Sequence, residues 1–532
     1  MKRLHYSLIA LFGMAFLWLS SLAFVGPTDL FLSPDETAIY QSATTFAQTG
    51  TMRLTDVRMN HFPWLHARSF VTVGDAAVPV GFIGMPLIVG VFVLVGMPWF
   101  AHLMTPLLVL IVGMLIWRVT KSVDMWIRLL SVLTWFALPN VVLYSNRGLF
   151  PNLVVICLTA IAGFLMWEKR TNSRSMISGI TFALALAVRP IDIFWMLPWM
   201  GCAWFFRQEK KSHQENRFIY LWLIACSVIL LVMATIQYQT YGSFFTIGYF
   251  LRDPVIQLTD TVTPTINVIP TLQVKNWFPF GFHPMHVWFN VREYVFGMLW
   301  PWLGILLATT VFQWKKIKAS PWTYVFLWTA STTILVYGQG VYQDHVGLNV
   351  VSIGNSFLRY LLPCSLFVPF AVVLLLKKIQ EQRIPLLIFI SGGYVVTLAV
   401  LGLLMAYQWG AESVQNSAAT LRGYASIRDI IKNQTTSSTV IFSERSDKIF
   451  FTPQTKPVSP VPPISEIARF KKEFPDTTIL YFGRKLDEYD VIDWVVEGIM
   501  PKADFVAGNE VMYTIDAIDS RFDPGSIFSQ DE

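Results

Sequence analysis

The chain has 532 residues, 54% of them hydrophobic and 14% charged, with a formal net charge of +6 and a mean hydropathy of +0.51. Apolar runs about twenty residues long alternate with short basic clusters, the pattern of a polytopic α-helical membrane protein. The Lys and Arg excess sits in those short clusters, where orientation in a bilayer requires it, which excludes reading the charge as a nucleic-acid footprint.

The first apolar run follows Lys2 and Arg3. It is long for the apolar part of a signal peptide and no small-residue cleavage site closes it, so it predicts an uncleaved first helix with a cytoplasmic N-terminus. Residues 27–77 then form an external loop. The loop holds SPDETAIYQSATTFAQTG (33–50), where Pro34 and Asp35 suit a helix start and Glu36 its first turn. Arg58, His61, His66 and Arg68 follow in the same loop.

Further apolar runs lie near 79–97, 100–117, 129–145, 150–167, 175–206, 218–238, 293–312, 322–337, 357–376 and 385–407. Arg118, Lys121, Arg128, Lys169, Arg170 and Arg174 ask to be inside. The segment 79–117 should therefore cross once although it holds two runs, and Pro79, Pro86, Pro98 and Pro106 favour a broken or re-entrant helix. The run 175–206 suits either two short spans around AVRPID (187–192) or one long bent span. Basic clusters at Arg207/Lys210/Lys211/Arg217, Lys315/Lys316/Lys318 and Lys377/Lys378/Arg383 read as cytoplasmic, which puts 239–291, 338–356 and everything after about 408 outside. The total expected is about 11–13 transmembrane helices. Cys157, Cys202, Cys226 and Cys364 all lie in apolar runs without metal-ligand spacing and read as small packing residues.

Near residue 412 the composition changes. Residues 1–411 form the membrane part, and 412–532 a small extracytoplasmic α/β domain. There TVIFS (439–443), TTILYF (477–482) and EVMYTI (510–515) predict strands, while 413–433 and 488–499 predict helices. This part has neither a Gly-rich phosphate loop nor a recognisable catalytic triad.

Charge inside a membrane protein is costly unless it pairs, faces a cavity or reaches the interface. Asp35, Glu36, Arg147, Arg189, Asp192 and Arg359 all fall near the outer boundary. The external loops add Lys275, His283, His286, Asp344 and His345. Carboxylates at the mouth and arginines at the boundary suit a lipid-linked phosphate substrate, whose anion needs Arg or Lys and whose reaction needs a base.

Four segments together carry a resemblance. SPDETAIYQSATTFAQTG resembles the first-loop signature of the GT-C membrane glycosyltransferases, and RGLFPN (147–152) the Arg-x-x-x-Pro-Glu turn of that class. YGSFFTIGY (241–249) is similar to the Tyr-Gly-Ser-Pro-x-x-x-Gly-Tyr element of its bacterial members, and RYLLP (359–363) to their late Arg-Tyr-Leu-Leu-Pro. The resemblance covers roughly residues 5–407. It points to the group that holds protein O-mannosyltransferases and lipid A aminoarabinose transferases, glycosyltransferase family 39-like. Two departures stand out: no lysine occurs in AVPVGFIGMP (77–86), where relatives carry Lys-Pro-Pro, and Asn152 stands where many have an acid.

The resemblance implies a polyprenyl-phosphate sugar donor, an external site, inversion at the anomeric carbon, and a lipid, polysaccharide or protein acceptor. Asp35 with Glu36 would be catalytic. Arg359, Tyr360, Arg189, Arg147, Tyr241 and Tyr249 would bind substrate. His61, His66, His283 and His286 are weak candidates for a divalent metal. The same residues have plainer readings: a helix cap at Pro34–Glu36, a snorkelling Arg359, interface tyrosines and an i, i+3 ion pair between Arg189 and Asp192. A transporter or flippase of lipid-linked sugars, or an inactive scaffold, stays open as an alternative, although no internal repeat of the transporter kind is visible.

Overall fold

The computed structural model describes residues 2–168, 171–205, 215–251, 281–342, 344, 351–354, 356–432, 435, 438–452 and 454–518. Lys169, Arg170, Arg207, Lys210, Lys211, Lys275, His345 and much of the 239–291 loop lie outside them.

Proline sets both the starts and the breaks of the helices. Pro34–Thr49, Pro139–Asn146, Pro151–Trp167, Pro284–Asn290, Pro321–Tyr337 and Pro385–Gln408 all begin on proline, whose missing N–H would be an orphan in the first turn anyway. Where proline follows a preceding helix closely, the path bends. Met125–Ala137 meets Pro139–Asn146 at 55°, and Asn172–Val188 meets Pro190–Phe205 at 117°. Pro284–Met298 meets Trp300–Lys318 at 85°, with a π-helical stretch at Val291–Met298 just before the break. Leu358–Ser365 meets Val368–Glu381 at 45°. Each break lies at or beside Pro139, Pro190, Pro301 or Pro369, whose rings remove a ladder hydrogen bond. The long run at 175–206 is thus two helices that turn sharply on Arg189–Asp192.

Among the described residues, three helices are long and apolar enough to cross a bilayer: Phe100–Val119, Asn216–Tyr241 and Pro385–Gln408. Counting each bent pair as one span gives seven. Three shorter apolar helices accompany them, Tyr6–Leu19, Gly84–Leu94 and Pro151–Trp167. The two runs of 79–117 become the short Gly84–Leu94 helix, packed on Pro34–Thr49, and the long Phe100–Val119 helix.

The C-terminal part contains a five-stranded sheet in the order β5-β4-β6-β8-β7. Its strands are β4 (Thr439–Ser443), β5 (Thr455–Val458), β6 (Ile479–Arg484), β7 (Ile499–Ala507) and β8 (Glu510–Ala517). β4 pairs in parallel with β5 and β6, while β8 runs antiparallel to β6 and β7. The three predicted strands correspond to β4, β6 and β8, and the two predicted helices to Val414–Lys432 and Glu488–Val496.

Strand alternation explains how this sheet is covered. In β4, Val440 and Phe442 point into one core and Ile441 into another. The Ile441 side is closed by Ile431 and by Ile449 and Phe450. The Val440 side is closed partly by Ile467, Phe470 and Trp494, and partly by Met59, Phe62, Leu65 and Phe70 of the first loop. That loop carries its own antiparallel sheet, order β1-β3-β2, from Leu54–Thr55, Ala76–Pro79 and Phe70–Val73 respectively.

Ion pairs cross the same junction. Arg428 Nη1 donates to Asp29 at 2.9 Å, Lys456 Nζ lies 2.5 Å from Asp56, and Arg68 lies 2.7 Å from Asp447. Burial pushes the Lys456 ammonium down to about 8 against the pull of Asp56. Burial opposes ionisation of Asp56 too, but hydrogen bonds from Arg58 and Lys456 outweigh it and hold the carboxyl well below its usual range.

Candidate active site

A cavity of about 770 Å³ opens where the first loop, the 189–192 turn and the Leu358–Ser365 helix meet. Asp35, Glu36, Ser69, Asn152, Arg189, Tyr249, Tyr337, Arg359 and Tyr360 supply its polar lining.

The carboxylates arrive on a capped helix. Ser33 is the N-cap of Pro34–Thr49: its Oγ accepts the Glu36 N–H at 3.2 Å and donates to Glu36 Oε2 at 3.1 Å. Capping fixes which way the first turn faces. Asp35 is exposed and meets the cavity, and Ser69 Oγ donates to its Oδ1 at 2.5 Å. Glu36 is 3% exposed and lies 3.4 Å from Arg147 Nη2. Arg147 also approaches Glu412 at 3.9 Å and covers the Phe150 ring at 4.4 Å. It does not line the cavity. The two adjacent acids therefore have different surroundings: Asp35 is open to the cavity, and Glu36 sits at the cavity wall, almost fully buried and paired with Arg147.

The arginines divide in the same way. Arg189 lies 3.3 Å from Asp192 and donates to Tyr337 Oη at 3.0 Å, while Tyr337 donates on to Asp192 at 2.7 Å. Arg359 has neither an ion pair nor a side-chain hydrogen bond among the described residues, and its Nε is buried without a partner. It rests against the rings of Tyr360 and Tyr342, 4.7 and 5.9 Å from their centroids. Tyr360 in turn stacks on Tyr337 at 4.2 Å. A cation on an aromatic shelf without an ion pair among the described residues, facing a cavity that also holds the exposed Asp35 carboxylate, can receive an anion without first breaking a salt bridge.

YGSFFTIGY folds for a physical reason. Tyr241 donates its hydroxyl to Pro79 O at 2.7 Å and Gly81 O at 3.1 Å. Gly242 turns the chain at φ +74°. Gly248 packs so closely on Pro79 and Val80 that a Cβ there would overlap their backbone. The result carries Tyr249 into the cavity while Tyr241 stays outside it as a strut.

The candidate metal ligands do not converge. His61 lies 3.6 Å from Glu473, and His66 Nδ1 is 2.9 Å from Ala67 O. His283 and His286 stack at 4.9 Å. Among the described residues, no group of three or more His, Cys, Asp or Glu side chains could hold a metal ion. Sequence reasoning missed Ser69 and Tyr337. Tyr337 ends an apolar helix like many interface tyrosines, and nothing local marks Ser69.

No protein-family model and no curated protein sequence matches the chain. Solved structures do. ArnT from Cupriavidus metallidurans in the apo state superposes with a TM-score of 0.55 at 10% identity, covering 96% of this chain and 98% of ArnT. The chain has the GT-C fold. The same ArnT bound to undecaprenyl phosphate gives a TM-score of 0.51 at 10% identity, covering 95% and 97%. Identity this low speaks for the GT-C fold alone, so residue roles have to come from the geometry above.

Proposed function

We propose that the protein is a glycosyltransferase of the hexosyl or pentosyl class. It moves a sugar, with inversion, from a polyprenyl-phosphate donor to the hydroxyl of a lipid, polysaccharide or protein acceptor at the outer face of the membrane. The observation that carries this reading is that one cavity holds both an open carboxylate, Asp35, and an arginine, Arg359, that makes no ion pair among the described residues. The capture of undecaprenyl phosphate by ArnT, a protein of the same fold, supports the choice of donor.

Asp35 takes the proton of the acceptor hydroxyl as that oxygen attacks the anomeric carbon. The new C–O bond forms on the face opposite the leaving group. The bond from the anomeric carbon to the phosphate oxygen breaks, and its electron pair leaves with the lipid phosphate. Arg359 holds the charge that develops there, through a planar fork matched to two phosphate oxygens. Lipid phosphate leaves readily, so no strong acid is asked to protonate it. Arg189 braces the shelf through Tyr337 and Tyr360 and adds positive potential.

The test is release of lipid phosphate from radiolabelled polyprenyl-phosphate sugars by detergent-purified protein. Release that depends on Asp35 supports transfer. No release from any donor, with label instead crossing the bilayer of proteoliposomes, would overturn it in favour of lipid-linked sugar transport.

A further inference from the structure

We propose that Ser69 is a positioning residue for Asp35, held in a left-handed backbone conformation for that purpose and clamped there by the C-terminal part of the chain. The proposal rests on the reading of Asp35 as the base. Its basis is the backbone: Ser69 has φ +61°, one of two non-glycine residues at positive φ among the described residues. Side chains strain the chain in this region, and glycine is the residue that relieves it. A serine kept there must do something glycine cannot, and its hydroxyl donates to Asp35 Oδ1 at 2.5 Å.

The strained turn is held from both sides. The Ser69 carbonyl accepts the Val80 N–H at 2.8 Å, which locks it to the β2–β3 hairpin. On the other side, the Arg68 N–H donates to Asp447 Oδ2 at 3.0 Å and Arg68 Nε to Oδ1 at 2.8 Å. Asp447 is completely buried in the C-terminal part, and Arg68 also reaches the Arg445 carbonyl. Strain of this kind persists only where the surroundings over-determine it, and such sites cluster at functional centres. The consequence for chemistry is specific. With Oδ1 occupied by Ser69, Asp35 Oδ2 makes no hydrogen bond among the described residues and stands ready to take a proton. The carboxylate is oriented before substrate arrives.

The variants are Ser69→Gly, which is at ease at positive φ and deletes the CH2OH side chain, and Ser69→Asn, which tolerates positive φ and restores an N–H donor. With the donor that wild type turns over, Ser69→Gly should lose about 10- to 100-fold in kcat at nearly unchanged donor KM, and Ser69→Asn should recover part of it. A second arm needs no substrate: thermal unfolding of the full-length protein in a double-mutant cycle with Asp35→Ala. Ser69→Gly should raise Tm more in the Asp35→Ala background than in wild type, because relief of strain is then not offset by a lost hydrogen bond. Equal Tm changes in both backgrounds, or wild-type kcat in Ser69→Gly, overturn the proposal. A wild type that turns over no donor while the cycle still shows coupling overturns the transferase reading and leaves the Ser69–Asp35 link standing.

Discussion

Asp35 stands open in the cavity with Ser69 on one oxygen, while Glu36, the next residue, is buried 3.4 Å from Arg147. Substitution should separate the two acids. Asp35→Asn should fold normally, bind donor and lose turnover by about 10²- to 10⁴-fold. Glu36→Gln should leave Arg147 with the more distant Glu412 as its carboxylate among the described residues, and its main effect should be a loss of roughly 1–3 kcal/mol of stability. Melting curves beside steady-state rates check both. A stable Glu36→Gln with the Asp35→Asn rate defect would reverse the two assignments.

What the sequence could show of this site was what local chemistry controls. Ser33–Pro34–Asp35–Glu36 is a capping sequence, and it caps. β4, β6 and β8 are apolar runs bounded by turns, and they became strands. The first-loop sheet was illegible because β1 has two residues and β3 reads Ala-Ala-Val-Pro, with no alternation to see. β5, Thr-Lys-Pro-Val, was hidden by its lysine and proline. Nor could sequence reveal that Met59, Phe62 and Phe70 complete a core begun some 400 residues later, or that Ser69 adopts positive φ. Both follow from tertiary packing. The positions of Asp35 and Arg359 were readable, but the difference between Arg359 and the paired Arg189 required the side-chain partners.

Orientation in the membrane gives a labelling prediction. With a cytoplasmic N-terminus, the first loop and the C-terminal sheet face outward together. Val57 and Tyr489 are 77% and 80% exposed, so cysteines at either should react with an impermeant maleimide in intact cells. Of the native cysteines, Cys157, Cys202 and Cys226 are buried and Cys364 is half-buried, so a Cys364→Ser background keeps native labelling low. Reaction only after permeabilisation would turn the proposed topology over.

Gly248 should tolerate no side chain. A Cβ would overlap the backbone of Pro79 and Val80, and backbone cannot swing aside as a side-chain tip can. Gly248→Ala should cost about 1–3 kcal/mol of stability and shift Tyr249 in the cavity, which donor KM would register. Gly242→Asn, at a position where positive φ is the only demand, should be far milder. Similar Tm values for Gly248→Ala and wild type would remove the close-approach account of the motif.

The junction between the first loop and the C-terminal sheet should weaken in acid. Asp56 has a depressed folded pKa, so its contribution is present above about pH 4, the unfolded carboxylate value, and fades as pH falls further. Lys456 acts with the same sign in a higher window, except that its depressed value reflects a burial cost and not a gain. Its folded value is about 8, against 10.5 for the free group, so between those values the unfolded chain holds more protons and stability rises with pH on its account. The Tm gap between wild type and Asp56→Asn should therefore be wide near pH 6 and narrow steadily below pH 4. A gap independent of pH would mean that Asp56 is not titrating against the fold.

Arg359 decides between a phosphate clamp and an interfacial cation. A snorkelling arginine can be replaced by lysine, which reaches water equally well. Arg359 makes no ion pair and no side-chain hydrogen bond among the described residues, and its Nε is buried without a partner, so Arg359→Lys breaks neither kind of contact. The guanidinium rests on Tyr360 and Tyr342, and lysine keeps part of that contact. What lysine cannot keep is the two-pronged grip on a phosphate, because an ammonium is a point charge without the fork. Inside the cavity a charged hydrogen bond is screened less than in bulk water, and its loss costs about 1.5–3 kcal/mol, or roughly 10- to 150-fold. Arg359→Lys should therefore keep wild-type expression and Tm while it raises donor KM or lowers kcat by that factor. A polyprenyl phosphate, the lipid product of the proposed reaction, should bind the variant more weakly by a comparable ratio. Wild-type kinetics in Arg359→Lys would leave the arginine as an interfacial anchor and send the search for the phosphate's counter-charge back to Arg189.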